Sequence, residues 1–318
     1  MNRSRCLVAA LVAASVVLPV SAAAEPAAPM PVPALTVETL DDRYTANRHA
    51  IIEARQSAER VGDDDRARRL RGLTDPRRRF LVFDGRGDGR AVEVLGSLVY
   101  ADRIAVIVPG ADTTLDTYDT RGDKPHGAPG GAARALRAEL LRLDPEASIA
   151  VVAWFGYDTP ATISFDIVTS RRAEDGARDL RGFIGTLQGV NPSARIALLC
   201  HSYGSLVCGR AGPLTGVADL AVYGSPGMGV STASELSTGA RVWAGRGRED
   251  WTAGLPHISV SLLGITLGFG ADPVAPGFGA HIFDANAAGH SDYFAPGGIA
   301  LHNLALITLG RPAGVSVG

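Results

Sequence analysis

Cysteine is scarce in this chain: three among 318 residues, at Cys6, Cys200 and Cys208. Cys200 and Cys208 with the adjacent His201 make a poor zinc set, so no structural metal is expected from them. Excess charge is lacking too. Lys and Arg number 31 against 33 Asp and Glu, a net charge of −2, which gives no reason to expect nucleic acid or an anionic membrane as partner. Beyond the N-terminus no apolar run approaches the ~20 residues of a membrane span. There is no internal repeat, no clustered His/Asp motif of a metal hydrolase, and no long apolar insertion of the kind a large interfacial lid needs. What remains is 46% apolar and 20% charged, a globular composition long enough for one large α/β domain.

The apolar run at residues 7–20 follows Arg3 and Arg5, is broken by Pro19, and leads to Ala22-Ala23-Ala24 before Glu25. A basic start, a short apolar middle and an A-x-A site describe a secretory signal ending at residue 24 rather than an anchor. No lipobox surrounds Cys6. The expected location is secreted or cell-envelope associated, without stable membrane insertion, which leaves Cys200 and Cys208 in an oxidising compartment. Residues 25–34 are a proline-rich spacer. Residues 36–71 carry a helical pattern interrupted at Gly62-Asp63-Asp64-Asp65. Two helices are expected there, with the acidic triplet favouring the second helix's N-terminus rather than binding metal.

From Phe80 the pattern changes to strands. Residues 80–83 and 91–95 flank Asp84-Gly85-Arg86-Gly87-Asp88-Gly89, which reads as a hairpin turn; its aspartate spacing is like a calcium loop, but the distal glutamate is missing. A continuous apolar run at 103–108 ends at Pro109-Gly110-Ala111. A helix at 131–143, a strand at 149–155, a helix at 171–187, a strand at 196–199, and short strands at 220–223 and 240–244 follow. Alternation of apolar strands and helices predicts a parallel sheet with helices on both faces.

The strand at 196–199 runs into Cys200-His201-Ser202-Tyr203-Gly204, and a small-residue helix comes next. That is a nucleophile elbow, G-x-S-x-G, with cysteine in place of the first glycine. The turn lifts the serine hydroxyl clear of strand and helix, and it demands small residues two before and two after; Cys200 and Gly204 meet that demand. In this geometry Cys200 and Cys208 come close enough for a disulfide, the alternative being two buried thiols chosen for size.

A serine hydroxyl needs a base, and the base needs an orienting acid. If the order is Ser, acid, His, the base follows Ser202. Among His257, His281, His290 and His302, His290 is preferred because it lies in a glycine-led loop, Gly289 to Phe294, before the last helical segment. His201 is too close to Ser202 on the elbow, with its side chain directed away from the hydroxyl, and reads as structural. Asp250, in the loop leaving the 240–244 strand, is the first choice of acid, with Glu249 a lesser one and Asp272 the alternative. Asp284 has no comparable loop, and Asp219 is at the wrong end of its strand. The oxyanion donors are expected at the amides of Tyr203 and of Ala111 or Gly110. The segments at 156–160 and 224–227, with Tyr157 and Ser225, leave strand ends on the same rim, and these two residues and Phe294 are expected to line the pocket.

With these residues placed, the chain resembles a secreted actinobacterial α/β-hydrolase family of serine-hydrolase type. The motifs that carry the resemblance are Val108-Pro109-Gly110, Ala153-Trp154-Phe155-Gly156-Tyr157-Asp158, the elbow from Cys200 to Gly209, Val222-Tyr223-Gly224-Ser225-Pro226-Gly227, Gly270-Ala271-Asp272-Pro273 and Gly289-His290-Ser291-Asp292-Tyr293. The resemblance covers roughly residues 100–310. The resemblance implies an α/β-hydrolase fold, with a mostly parallel central sheet, helices on both faces and a short N-terminal helical segment. It also implies Ser202 as nucleophile and His290 as base, and it leaves Asp250 and Asp272 open as the acid.

The expected organisation is a signal peptide at 1–24, spacer and helices at 25–75, and an α/β-hydrolase domain at 76–318. The expected function is cleavage of a small-molecule or lipid carboxylic ester through an acyl-enzyme, without a cofactor. The same machinery serves acyltransferases and peptidases. A hydrolase scaffold retained as a non-catalytic binding or cell-envelope interaction protein is the alternative of another class.

Overall fold

A computed structural model of the chain describes residues 32–162, 171–236, 238–255, 259–262 and 265–318, with backbone alone for 259–262 and 265–267. The signal segment, most of the spacer and His257 lie outside the described residues.

Two helices open the described chain, α1 (Leu40–Arg60) and α2 (Asp64–Leu73). The acidic triplet starts the second: Asp63 is its N-cap, its carboxylate accepting from the Arg66 amide at 3.0 Å. β1 (Arg79–Asp84) and β2 (Arg90–Leu95) form an antiparallel hairpin. The turn between them is held by Arg86 on the Asp84 carboxylate at 2.6 Å.

From β3 (Arg103–Val108) the chain alternates: α3 (Pro129–Leu143), β4 (Ile149–Phe155), α4 (Arg171–Val190), β5 (Arg195–His201), α5 (Gly204–Ala211), β6 (Val217–Tyr223), β7 (Arg241–Gly245). A separate hairpin, β8 (Ser259–Leu262) with β9 (Ile265–Gly268), precedes β10 (His281–Ile282) and α6 (Ile299–Thr308). The main sheet has the order β1-β2-β4-β3-β5-β6-β7-β10. β2 is antiparallel to both its neighbours, and the strands from β4 to β10 are parallel.

The central strands are apolar throughout because both faces are covered. Ile104, Val106 and Val108 enter one core with α4 and α5, while Ala105 and Ile107 enter the other with α3 and α6. Each helix contributes one stripe, such as Ala132, Leu136 and Leu140 of α3 or Ala173, Ala177, Leu180, Ile184 and Leu187 of α4. α1 packs on β1, and Ile51, Leu70 and Leu73 share a core with the sheet. The N-terminal helices therefore lie at the β1 edge of the sheet order, away from β7 and β10. Parallel crossovers bring the C-terminal ends of β3, β5, β6 and β7 to one rim, and the side chains of interest leave the sheet there.

Candidate active site

β5 ends at His201 and α5 begins at Gly204, so the whole turn is Ser202 and Tyr203. Ser202 has φ +51°, in the left-handed region that non-glycine residues rarely occupy. Its amide donates to the Tyr223 carbonyl at 3.1 Å, which anchors the turn to β6. Gly204 is obligatory: a Cβ there would lie 2.6 Å from the Pro109 carbonyl oxygen and 2.7 Å from that of Val108. Two residues before the serine, Cys200 is buried and forms a disulfide with Cys208, tying the end of β5 to α5 beneath Ser202.

His290 Nε2 is 3.0 Å from Ser202 Oγ, and His290 Nδ1 is 2.9 Å from Asp250 Oδ1 and 3.1 Å from Oδ2. Asp250 leaves the loop after β7 and is buried. Its remaining lone pairs are occupied: Oδ1 accepts from the Thr252 amide at 2.9 Å and the Thr252 hydroxyl at 2.8 Å, and Oδ2 accepts from the Tyr293 hydroxyl at 2.6 Å. Burial alone raises this carboxyl, but the hydrogen bonds from His290, Tyr293 and the Thr252 amide outweigh it and hold Asp250 well below the usual carboxylate range. Burial and then the charge of Asp250 push the Tyr293 phenol well up, so it stays protonated as a donor. The same oxygen accepts from the Gly247 amide at 3.1 Å. Gly224, at φ +54°, lets the backbone pass close by: a Cβ would lie 2.7 Å from Asp250 Oδ2 and 3.1 Å from His290 Nδ1.

The other carboxylates named from the sequence are elsewhere. Asp272 forms an ion pair with Arg246 at 2.8 Å and accepts from the Val274 amide at 3.1 Å. Glu249 is exposed. Asp219 is buried under Arg241 and the Trp243 indole, each at 2.9 Å, and Asp284 accepts from the Asn286 amide at 2.7 Å. His281 packs on Trp243, and His302 binds Glu139 at 3.0 Å.

The loop after β3 lies against the elbow. A Cβ on Gly110 would be 2.7 Å from Ser202 Cβ and 3.2 Å from its Oγ, so only glycine permits this approach. Thr113 Oγ1 donates to the Gly110 carbonyl at 3.0 Å, and Arg121 Nη2 to that of Ala111 at 3.1 Å. Tyr203 sits at the N-terminus of α5. One pocket expectation needs correction. Tyr157 is fully buried: its ring stacks on Trp154, and its hydroxyl donates to the Pro109 carbonyl at 2.7 Å. It braces the loop from behind and cannot touch a substrate. The Ser225 hydroxyl is buried and closes its own turn on Gly227 at 3.1 Å. Phe294 does line the cleft, together with Pro109, Gly110, Thr113, Arg121 and His290.

Of four further contributors, the sequence reading gave a role only to His201, as a structural residue. Tyr293 and Thr252 hold Asp250, and His201 holds the loop that carries His290, with its Nε2 2.7 Å from the His290 carbonyl oxygen and its ring 4.6 Å from the His290 ring. Burial, followed by the neighbouring His290, pulls His201 down to about 3, so it is neutral. Arg121 is the fourth. The Asp250-Trp251-Thr252 spacing of an Asx-type turn is the one local signal that could have revealed Thr252. Among the described residues no group of three or more His, Cys, Asp or Glu side chains could hold a metal, and no helix is long and apolar enough to cross a membrane.

Fold, elbow and loop arrangement define an α/β hydrolase. The family profile described as "Alpha/beta hydrolase" matches residues 84–260, and the chain belongs to that family. Among its relatives is the uncharacterized protein Rv2079 of Mycobacterium tuberculosis, 31% identical over 257 residues that cover 71% of this chain and 38% of that protein. Another is the uncharacterized protein Mb0988c of Mycobacterium bovis, 32% identical over 191 residues, covering 55% of this chain and 69% of the relative. The match thus takes in 38% of the length of the first relative. A solved α/β serine hydrolase without lid from Xanthomonas campestris is 18% identical with a TM-score of 0.43, covering 74% of this chain and 95% of that one.

Proposed function

We propose that the protein is an exported serine hydrolase that cleaves carboxylic esters through an acyl-enzyme. The observation that carries this reading is the continuous hydrogen-bonded chain from Ser202 Oγ through both nitrogens of His290 to the buried Asp250. Ser202 attacks the carbonyl carbon while His290 Nε2 takes its proton. Asp250 holds Nδ1–H and stabilises the imidazolium that forms. The amides of Tyr203 and of Ala111 or Gly110 receive the oxyanion. His290 then returns the proton to the leaving alcohol, and water repeats the sequence on the acyl-Ser202. Each group in this scheme belongs to the chain itself. Export is proposed from the N-terminal signal pattern, and the Cys200–Cys208 disulfide supports it, because such bonds persist in oxidising compartments.

The test is labelling of the folded protein by a fluorophosphonate probe, beside Ser202→Ala. Wild type is expected to be labelled and the variant not. A correctly folded wild type that stays unlabelled removes the catalytic reading; a labelled Ser202→Ala moves the nucleophile elsewhere.

A further inference from the structure

The cleft beside His290 carries a cation that the serine-hydrolase scheme leaves unused. The segment after the β3 loop brings three basic side chains to this rim: Arg121, Lys124 and His126. Two of them are already engaged by one carboxylate, with Lys124 Nζ 2.8 Å and His126 Nε2 3.2 Å from Asp292 Oδ1. Arg121 is not. Its guanidinium lines the cleft, partly buried, and its one hydrogen bond among the described residues goes from Nη2 to the Ala111 carbonyl at 3.1 Å. No carboxylate of the described residues lies within ion-pair distance of it. The charge of Asp112 acts on it from farther off, but that carboxylate accepts from the Thr162 amide at 2.8 Å and from the Thr162 hydroxyl. Arg78, by contrast, is bracketed by Glu93 and Asp119, each at 2.6 Å. The Arg121 charge reaches across the cleft to His201, whose protonation it opposes.

A guanidinium offers five N–H donors in a planar fork and keeps its charge at any working pH. Removed from water without an anion, it is under-compensated. Its position fits a partner brought by the ligand, because it borders the same opening as His290 and the Gly110 loop. One positive charge with a free planar edge matches a carboxylate; a phosphate would bring surplus negative charge into a site that already holds ionised Asp250.

We propose that Arg121 is a substrate-binding residue and that the preferred substrate is an ester carrying a carboxylate a few bonds from the scissile carbonyl. This rests on the serine-hydrolase reading above. It separates Arg121 from a residue that merely braces the Ala111 carbonyl, since bracing serves charged and neutral esters alike.

The experiment compares two matched pairs on the full chain: 4-nitrophenyl hemisuccinate against 4-nitrophenyl butyrate, with the carboxylate in the acyl half, and 4-carboxyphenyl butyrate against phenyl butyrate, with it in the alcohol half. Wild type, Arg121→Gln and Arg121→Lys are assayed for kcat/KM. In one pair wild type is expected to prefer the charged member roughly tenfold or more, the scale of one charge-assisted hydrogen bond. Arg121→Gln, which keeps a donor for Ala111, loses that preference, and Arg121→Lys keeps part of it. The responding pair also assigns the half of the ester that Arg121 reads. Absence of preference in both pairs, or an equal loss on charged and neutral esters in Arg121→Gln, overturns the inference while leaving the serine-hydrolase reading intact. Failure of wild type to cleave either neutral ester, together with absent fluorophosphonate labelling, defeats the serine-hydrolase reading and this inference with it.

Discussion

His201 donates its Nε2–H to the backbone carbonyl of His290 across 2.7 Å, so the residue before the elbow serine holds the loop that carries its proposed base. A carbonyl oxygen can only accept, which fixes the tautomer of His201. The two rings lie 4.6 Å apart, and Tyr223 stacks on the other side of His201 at 5.2 Å. Loss of this bond is expected to act on kcat rather than on KM. His201→Phe should lower kcat about tenfold, the scale of one buried hydrogen bond. His201→Gln, with an amide donor, should recover part of it. Steady-state kinetics on a nitrophenyl ester, read beside the melting temperature of each variant, checks this; equal loss in both variants that merely follows stability rejects a positioning role.

Asp250 and Asp272 predict opposite outcomes. Asp250→Asn should slow acylation by roughly four orders of magnitude, as loss of the orienting acid does in other triads. Asp272→Asn breaks an ion pair with Arg246 and should cost less than about tenfold, consistent with its distance from the reacting atoms. Stopped-flow release of nitrophenolate in the first turnover measures both, and the reverse ranking would reassign the acid.

The disulfide closes a short loop, with eight residues of sequence separation between Cys200 and Cys208. Chain-entropy arguments for that length give about 2–3 kcal/mol. Cys200→Ala/Cys208→Ala should therefore melt several degrees lower and show a smaller acylation rate, since the cross-link lies beneath Ser202. A thiol reagent should find neither cysteine in the folded, non-reduced protein; two titrating thiols would contradict the bond.

Acid should destabilise the fold in two stages. His201 titrates near 3 when folded and near ~6.5 when unfolded. Below the unfolded value the unfolded chain binds a proton that the folded chain refuses. Stability then falls as pH drops from about 6.5 towards about 3, with no contribution from this group above that window. Asp250 adds to the loss lower down: its depressed folded value gives stability that is complete above its unfolded value of ~3.9 and vanishes as pH falls through the folded one. Calorimetric melting temperatures from pH 7.5 to 4 at constant ionic strength should decline below about 6.5, and more shallowly in His201→Gln. Equal slopes in the two proteins would refute this account of His201.

Local sequence was informative wherever the physical requirement was local. Strand faces alternate with period two, helix stripes recur every three or four residues, and Asp63 caps the α2 helix within three residues of its donor partner. The elbow belongs to the same class. Positive φ at Ser202, the close passage at Gly204 and the small residue at Cys200 are demands of one strand–turn–helix unit, and they can be read in five consecutive residues.

Choices that depend on chain crossings were decided by the tertiary structure. Asp250 and Asp272 both follow glycine-rich loops, and nothing in either loop says which one turns towards His290 and which towards Arg246. Tyr157 and Phe294 both leave the rim as aromatic residues, yet one is sealed behind Pro109 while the other lines the cleft. The partners of His201, Tyr293 and Arg121 are separated from them by long stretches of chain or by a loop whose path the sheet dictates. Periodicity and turn chemistry report what a residue needs from its neighbours along the chain; which distant group supplies a hydrogen bond, or fails to, is settled only when the parallel strands bring their ends to one rim.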